Sequence, residues 1–378
     1  MTGRRRGNGE GSIYQRANGT WAGIVSLPDA RRRTVYGRTR EDVRRKLAGL
    51  VRAQDEGTLT DARGETVSEF LDQWLAETVK RSVRRWTYVG YEVHVRLHIK
   101  PLLGRVLLDK LTPLHVQSLL NRKLESGLSP KSVRAIRGTL RTALNHAMKW
   151  GMVARNAAAL VDGPRVERFE IEPFTPDEAR LFLASIKGDR LEALYSVALT
   201  MGLRQGEALG LRWQDVDLDV GCIRVNRQLQ RVDGELQLVE LKTKSSRRTL
   251  VMPASIVAGL HEHRSRQSEE RESAKATWQD FDLVFTAPNG RPLEGTTVSR
   301  QFHLHLHRAG LAQRRFHDLR HSCATLLLVQ GVSPRVVMEV LGHSEIAITM
   351  DTYSHVIPEL RRDAAERMNE LLRDPERD

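Results

Sequence analysis

The stretch GPRVERFEIEPFTP, from Gly163 to Pro176, constrains the fold of this chain more than any other. It carries Gly and Pro at one end, Pro at the other, charges between, and no sustained hydrophobic period, so it reads as a linker. From about residue 64 to residue 163 the apolar residues follow helical spacing, whereas beyond the linker helical and strand periods are mixed. A chain of 378 residues divided in this way is expected to form two or three domains.

The 64–163 segment has recognisable helix starts. Thr66 and Glu69 form a capping box, and Val67, Phe70, Leu71, Trp74 and Leu75 follow at helical spacing. Thr112-Pro113 and Ser129-Pro130 each set a cap residue before a proline at the first helical position. The stripes Val116, Leu119, Leu120 and Val133, Ile136, Leu140, Leu144 come after them. Arg134, Arg137 and Arg141 share one side of the last helix, a row that fits either a solvated face or phosphates along a duplex.

Residues 1–60 read as a separate small module. GSIYQRANGTWAGIVSL has the pattern of a β-hairpin, with Asn18-Gly19 accepting the positive φ angles of a two-residue turn. Thr34–Gly37 supplies a third strand after an Arg31–Arg33 loop, and Thr39 caps a helix containing Val43, Leu47 and Val51. Trp21 and Tyr36 are expected to provide its core.

Charge adds a direction to this reading. The first 64 residues hold 14 Lys and Arg against 7 Asp and Glu, which is seven of the chain's thirteen net positive charges. That excess, with a pI of about 10.1, points to a polyanion partner. A sheet presenting Arg16, Arg31, Arg32 and Arg33 beside Trp21 to bases and phosphates is the functional reading, and a solvated face is the plain alternative.

Other classes are disfavoured. No window of 18 apolar residues occurs, so no transmembrane helix is expected. The start MTGRRRGNGEGS lacks an apolar run and is not expected to act as a secretory signal. Cys222 and Cys323 lie far apart, which argues against a disulfide framework or zinc site and fits a reducing cytoplasm. His303 and His307 have zinc-capable spacing in HLHLH, but no third ligand follows, so no metal site is expected.

The third segment, from about residue 174, mixes helices with one small sheet. Leu191, Leu194, Tyr195 and Ala198 mark a helix. Ile223 with Val225, Leu236 with Leu238, and the alternating Arg248, Leu250 and Met252 mark strands. In TMGLRQGEALGLRWQDVD, Gly202 ends one helix and Arg204 opens the next, beside free backbone N–H groups that suit an anion. Glu207 lies one turn on, able to orient it; taken alone, the pair reads as a surface Arg–Glu pair worth a few tenths of a kcal/mol. In ELKTKSSRRTL, two strands flank a polar turn holding Lys242 and Lys244; either can be a surface lysine or donate a proton in a groove. FHDLRHSCATLL crowds His317, Arg320 and His321, with Arg315 just upstream, at the mouth of an apolar helix. Ser333-Pro334 starts another helix buried through Val336, Val337, Val340 and Leu341 and stopped by Gly342, with His343 just beyond. Ile346, Met350 and Tyr353 share a stripe, so Tyr353 alone fits a core aromatic.

The conjunction carries more than its parts. Two Arg, two His, one Lys and one Tyr occur in order, each at the edge of an expected element. A phosphodiester bears one negative charge, rising towards two in a pentavalent transition state, and two guanidiniums match those oxygens. A tyrosine phenol can attack reversibly, and the resulting phosphotyrosine stores the bond energy without ATP.

On GLRQGEALGLRW, KTKSSRRT, FHDLRHSCATLL, LGHSEIAITMDTYSH and GSIYQRANGTW, nearly the whole chain resembles the tyrosine recombinases, specifically the phage-type integrases. The resemblance implies Arg204 and Arg320 as phosphate clamps, Tyr353 as nucleophile, and His317 and His343 as proton-transfer or phosphate-contact groups. It implies Lys242 as the acid for the 5′-oxygen, with Lys244 as the alternative, and Glu207 and Asp215 in support. It further implies an arm-type DNA-binding domain over 1–60, an α+β module of three strands and a helix. An all-α core-binding, SAM-like domain follows over 64–163, and a mainly α catalytic domain with a small antiparallel sheet over 174–378. The implied partners are double-stranded DNA at core- and arm-type sites and three further copies in a tetramer. A directionality factor and a DNA-bending protein are implied too, with no cofactor or metal, in a nucleoid-associated cytoplasmic setting. The helix from Pro358 is expected to dock on a neighbouring protomer or on its own domain.

Competing readings are a Xer-like housekeeping recombinase, disfavoured by the arm-like segment, and a topoisomerase-like relaxer, disfavoured by the LGH-to-Tyr box. A non-catalytic DNA-binding regulator would explain the charge but not an intact set of six catalytic-type residues.

Overall fold

The computed structural model describes residues 12–26, 32–55, 64–167, 171–232, 234–241 and 246–342, with the isolated positions 365, 368 and 369. It divides into two compact units, Met1–Arg168 and Phe169–Asp378. Among the described residues, no helix is long and apolar enough to cross a membrane.

In the first unit, β1 (Ser12–Gln15), β2 (Trp21–Ser26) and β3 (Arg32–Gly37) form an antiparallel sheet in that order, and α1 (Arg40–Asp55) covers one face. A Cβ at Gly23 would stand 2.7 Å from Val43 and 3.3 Å from Leu47, so the close approach of strand and helix requires glycine there. Val25, Val43 and Leu47 make the small core beneath α1. Thr39 caps α1 as expected, accepting from the Asp42 N–H at 3.1 Å.

Three expectations for this module need correction. Gly19 has a positive φ (80°) but Asn18 does not, so the hairpin closes through a wider turn in which Arg16 and Thr20 pair. The Asn18 carboxamide instead accepts from the Thr20 N–H at 3.2 Å and hydroxyl at 2.6 Å. Arg32 and Arg33 belong to β3, opposite Ser26 and Val25, rather than to a loop. Tyr36 is 54% exposed and does not serve the core. Its neighbour in phase with the helix is Val35, beside Gly23; Tyr36 stands in the row Tyr14–Ala22–Tyr36.

The helical part begins with the expected capping box: the Glu69 N–H donates to Thr66 Oγ1 (3.3 Å) and the Thr66 N–H to Glu69 Oε2 (2.8 Å). α2 (Val67–Gln73) then widens into a π-turn over Trp74–Val79 before α3 (Lys80–Ser82), and α4 (Arg85–Val93) does the same over His94–Ile99 before α5 (Lys100–Leu103). Trp74, Leu75 and Val79 face inward along this wider turn. α6 (Pro113–Glu125) and α7 (Pro130–Lys149) start at Thr112 and Ser129, each accepting a backbone N–H. Phe70, Trp74, Ile99, Leu119, Ile136, Leu140 and Leu144 fill the core at 1% exposure or less. Each such side chain contributes about 1.5–3 kcal/mol.

The second unit runs through α8 (Pro176–Ser185), α9 (Glu192–Met201), α10 (Gln205–Leu209), β4 (Val216–Asp217), β5 (Cys222–Val225), β6 (Arg227–Val232), β7 (Glu235–Glu240) and β8 (Arg248–Val251). α11 (Ala254–Ala274), α12 (Gly295–Arg308), α13 (Asp318–Val329) and α14 (Pro334–Leu341) complete it. Phe182, Tyr195, Phe302 and Phe316 pack mostly edge-on around the middle of its core, Tyr195 donating its hydroxyl to Val298 O at 3.1 Å. The strands form two sheets rather than one: β4-β5-β8 and the hairpin β6-β7. β7 and β8 are therefore not a hairpin around Lys242 and Lys244; each pairs with an earlier strand, in a different sheet. In α14, Val336 is 46% exposed, and Met338 joins Val337 and Leu341 inside instead.

Candidate active site

The turn between α9 and α10 is built around Gly202. Its φ of +62° is left-handed, and a Cβ there would meet Leu341 at 2.6 Å and Cys323 Sγ at 3.2 Å. Both conformation and space therefore demand glycine. The turn delivers Arg204 to the N-cap of α10, where its backbone N–H donates to Glu207 Oε2 (3.1 Å) and its Nη1 to Glu207 Oε1 (2.6 Å). The Glu207 side chain is fully buried while that of Arg204 remains 36% exposed. The exposed-pair alternative thus fails for the carboxylate, whose charge needs compensation inside the protein.

Part of that compensation comes from Arg248 at the start of β8. Its side chain is only 6% exposed, and its Nη2 donates to Glu207 Oε2 at 2.9 Å. Nε donates to Val340 O in α14 (2.7 Å) and Nη1 to Ser246 O (3.1 Å), so all three nitrogens are engaged. Burial raises the Glu207 pKa, but the Arg248 and then the Arg204 guanidinium outweigh it and hold the carboxyl below the usual value.

FHDLRHSCATLL does not present its cations as one outward cluster. Arg320 is 2% exposed and points inward, Nη1 donating to Gly202 O at 2.7 Å, which fixes α13 against the turn carrying Arg204. Arg315 remains half-exposed and grips buried Asp318 through Nη2 (2.7 Å) and Nε (3.2 Å). His317 and His321 meet edge to face, centroids 5.0 Å apart. Although the edge of His317 reaches solvent, desolvation on its protein side lowers its pKa, reinforced by the Arg320 and Arg204 cations. His321 is pushed down to about 4, by burial and then by His317. Both rings are therefore neutral near pH 7. Arg204, Arg248, Arg315 and Arg320 against Glu207 and Asp318 leave two surplus positive charges here, suited to a phosphate approaching its transition state.

Each other expected residue has its own surroundings or lies outside the described residues. Asp215 binds Arg212 Nε (2.8 Å) and Asn226 Nδ2 (3.2 Å), bracing the strands near β5. Arg134 and Arg141 are exposed on α7 and Arg137 half-buried. Arg16 is exposed with its guanidinium 5.2 Å over the Tyr36 ring, Arg32 is exposed, and Trp21 and Arg33 are half-buried. His303 and His307 are exposed on α12. Lys242, Lys244, His343, Tyr353, Arg31 and all but three positions of the C-terminal helix from Pro358 lie outside the described residues. Burial pushes the Cys323 thiol up to about 12, and it donates to Thr200 O, which makes it a packing residue.

Arg248 is the residue that sequence reading missed. Its alternation with Leu250 and Met252 put a cation on the inward side of a strand, and an inward charge requires a buried partner.

The family model described as "Phage integrase family" matches residues 173–359, and that for the "Phage integrase, N-terminal SAM-like domain" matches residues 66–124. The chain is 34% identical to a XerC-like tyrosine recombinase of Caldanaerobacter subterraneus subsp. tengcongensis, over 90% of this chain and 92% of the relative. It is 30% identical to an integrase of Saccharopolyspora erythraea over 97% of each. The fold is similar to that of the Tn1549 transposon integrase solved with transposon right-end DNA: TM-score 0.69 and 23% identity, over 80% of this chain and 99% of the other. The order of charged turns around Gly202, Glu207 and Arg320 and these matches lead to one conclusion: the chain belongs to the phage integrase family of site-specific tyrosine recombinases.

Proposed function

We propose that this recombinase is the integrase of a phage or mobile element and that it cuts and rejoins double-stranded DNA through a 3′-phosphotyrosyl link to Tyr353. The observation that carries this reading is the union of two arginines at one turn: buried Arg320 holds Gly202 O, and Arg204 caps the helix that follows. In this reading both guanidiniums hold the non-bridging oxygens of the scissile phosphate. The Tyr353 oxygen forms a bond to phosphorus as the bond to the 5′-oxygen breaks. Lys242, or Lys244 in its place, gives the departing 5′-oxygen its proton. His317 and His343 move protons or contact the phosphate, and Glu207 holds Arg204. The 5′-hydroxyl of the partner strand then reverses the step, and a second round resolves the four-way junction.

The tyrosine inventory supports Tyr353. The chain has six tyrosines, of which Tyr14, Tyr36, Tyr88 and Tyr91 belong to the first unit. Tyr195 is buried, bonded to Val298 O, with its pKa raised by burial, and so is suited to packing rather than attack. Exchange of both strands of two duplexes uses four cleavage events, hence a tetramer. Residues 1–60 bind arm-type sites, 64–163 embrace the core site and 174–378 carry the chemistry, in the cytoplasm on DNA. A DNA-bending protein and a directionality factor assist the assembly.

The XerC-like relative favours a housekeeping variant as second reading. Against it stands the basic three-stranded module at the N-terminus, which core-site resolution alone does not need. Two duplexes bearing the element's attachment sites, incubated with protein in EDTA without ATP, test the proposal. Recombinant joints are expected; tight binding without any joined product would favour the regulator reading.

A further inference from the structure

We infer that Arg248 is a positioning residue of the recombination site: by holding Glu207 from behind, it keeps the guanidinium of Arg204 open to the phosphate. This inference rests on the reading of Arg204 as a phosphate clamp.

Glu207 has two oxygens and two competing guanidiniums. Arg204 approaches Oε1 with a single nitrogen, Nη1 at 2.6 Å, while Arg248 Nη2 takes Oε2 at 2.9 Å. The remaining contact on Oε2 is the Arg204 backbone N–H at 3.1 Å. An arginine and a carboxylate left to themselves form a two-pronged pair, which would occupy both forks and neutralise the charge. Here Arg248 occupies the second oxygen, so Arg204 cannot close onto it. The Arg204–Glu207–Arg248 cluster therefore keeps one net positive charge, and the exposed part of that charge belongs to Arg204.

The geometry also shows why an arginine is used. Three nitrogens of one rigid plane reach three elements: Glu207 in α10, Ser246 O just before β8, and Val340 O near the end of α14. The buried Arg248 thus sets the distance between α10, β8 and α14, and with it the direction in which Arg204 leaves its helix. A lysine has the charge but not the fork.

The test compares Arg248→Gln, Arg248→Lys and the double change Arg248→Gln with Glu207→Gln, using the full chain and a nicked duplex carrying the core site. Single-turnover cleavage, DNA affinity and the unfolding transition are measured for each. Arg248→Gln should bind the duplex within about threefold of wild type yet cleave about 100-fold more slowly, as expected of a misdirected clamp. The double change removes the carboxylate charge that now captures Arg204, and should restore cleavage at least about tenfold relative to Arg248→Gln. A part that merely supports the fold would instead leave the double change equal to or slower than the single one, and that result would overturn the inference. So would Arg248→Gln cleaving within about threefold of wild type.

Should Arg248→Gln fail to unfold cooperatively, the double change carries the test. It should cleave within about tenfold of wild type, and a loss of about 100-fold refutes the inference. Wild-type protein inert on a duplex that it binds would overturn the recombinase reading itself and this inference with it.

Discussion

Glu207→Ala gives the sharpest energetic test of the buried cluster. Glu207 is fully buried and its main partner, Arg248, is 6% exposed, so truncation leaves a guanidinium inside the protein without its counter-charge. Removing one partner of a buried pair costs about 3–5 kcal/mol. Loss of the contact from Glu207 to the Arg204 N–H adds about 1 kcal/mol of cap energy. Arg204 itself is 36% exposed and screened by water, so its pairing adds little. The total is about 4–6 kcal/mol, which at a slope of ~2 kcal/mol per molar urea lowers the midpoint of the second unit by roughly 2–3 M. Tryptophan fluorescence during urea titration, with Trp213 and Trp278 in the second unit, reads that transition. The pH dependence fixes the sign: because the Glu207 carboxyl is held below its ordinary 4.5, its contribution is complete above that value and is lost as pH falls through the lowered one. The gap between wild type and variant should thus be constant from neutrality down to about the ordinary carboxylate range and close below it. A loss under about 1 kcal/mol at pH 7 would refute the reasoning, since Arg248 would then have to be hydrated.

Three further outcomes are expected. Gly202→Ala places a Cβ in a left-handed residue against Leu341 and Cys323, and should cost about 1–3 kcal/mol by thermal unfolding while slowing cleavage; a silent change would contradict the turn geometry. Because burial with Arg320 and Arg204 keeps His317 neutral below the ordinary 6.5, single-turnover cleavage should hold from pH 8 to about 6.5 and decline only on the acid side; a decline centred above 6.5 argues against a neutral imidazole. Deleting residues 1–60 should spare cleavage of a core-site duplex and abolish recombination that needs arm sites, and undiminished integration by the truncated protein would remove the arm assignment.

How much was legible beforehand follows from which signals are local. Capping at Thr39, Thr66, Thr112 and Ser129 depends on a few consecutive residues, and each of these helices starts where the sequence places it. Gly202 and Arg204 were legible for the same reason, a helix stop followed by a helix start. The π-turns at Trp74 and His94 were not: neither begins at a capping side chain, so no local residue marks where the helix widens. The pairing of β7 with β6 and of β8 with β5 was missed since strand partners are a long-range choice that alternation leaves open. Tyr36 misled because a large aromatic marks either a core or an exposed sheet face; the register beside Ala22 decides for the latter. The inward turn of Arg320 and the role of Arg248 depend on contacts 118 and 41 residues away in the chain, which no local pattern encodes.

The central claim is the chemistry at Tyr353, and one gel tests it most directly. A nicked duplex carrying the core site is incubated with wild-type protein and with Tyr353→Phe, in EDTA and without ATP, and run under denaturing conditions. A covalent protein–DNA adduct is expected with wild type alone, with equal DNA binding by both proteins. An adduct formed equally by Tyr353→Phe would send the nucleophile elsewhere and contradict that claim.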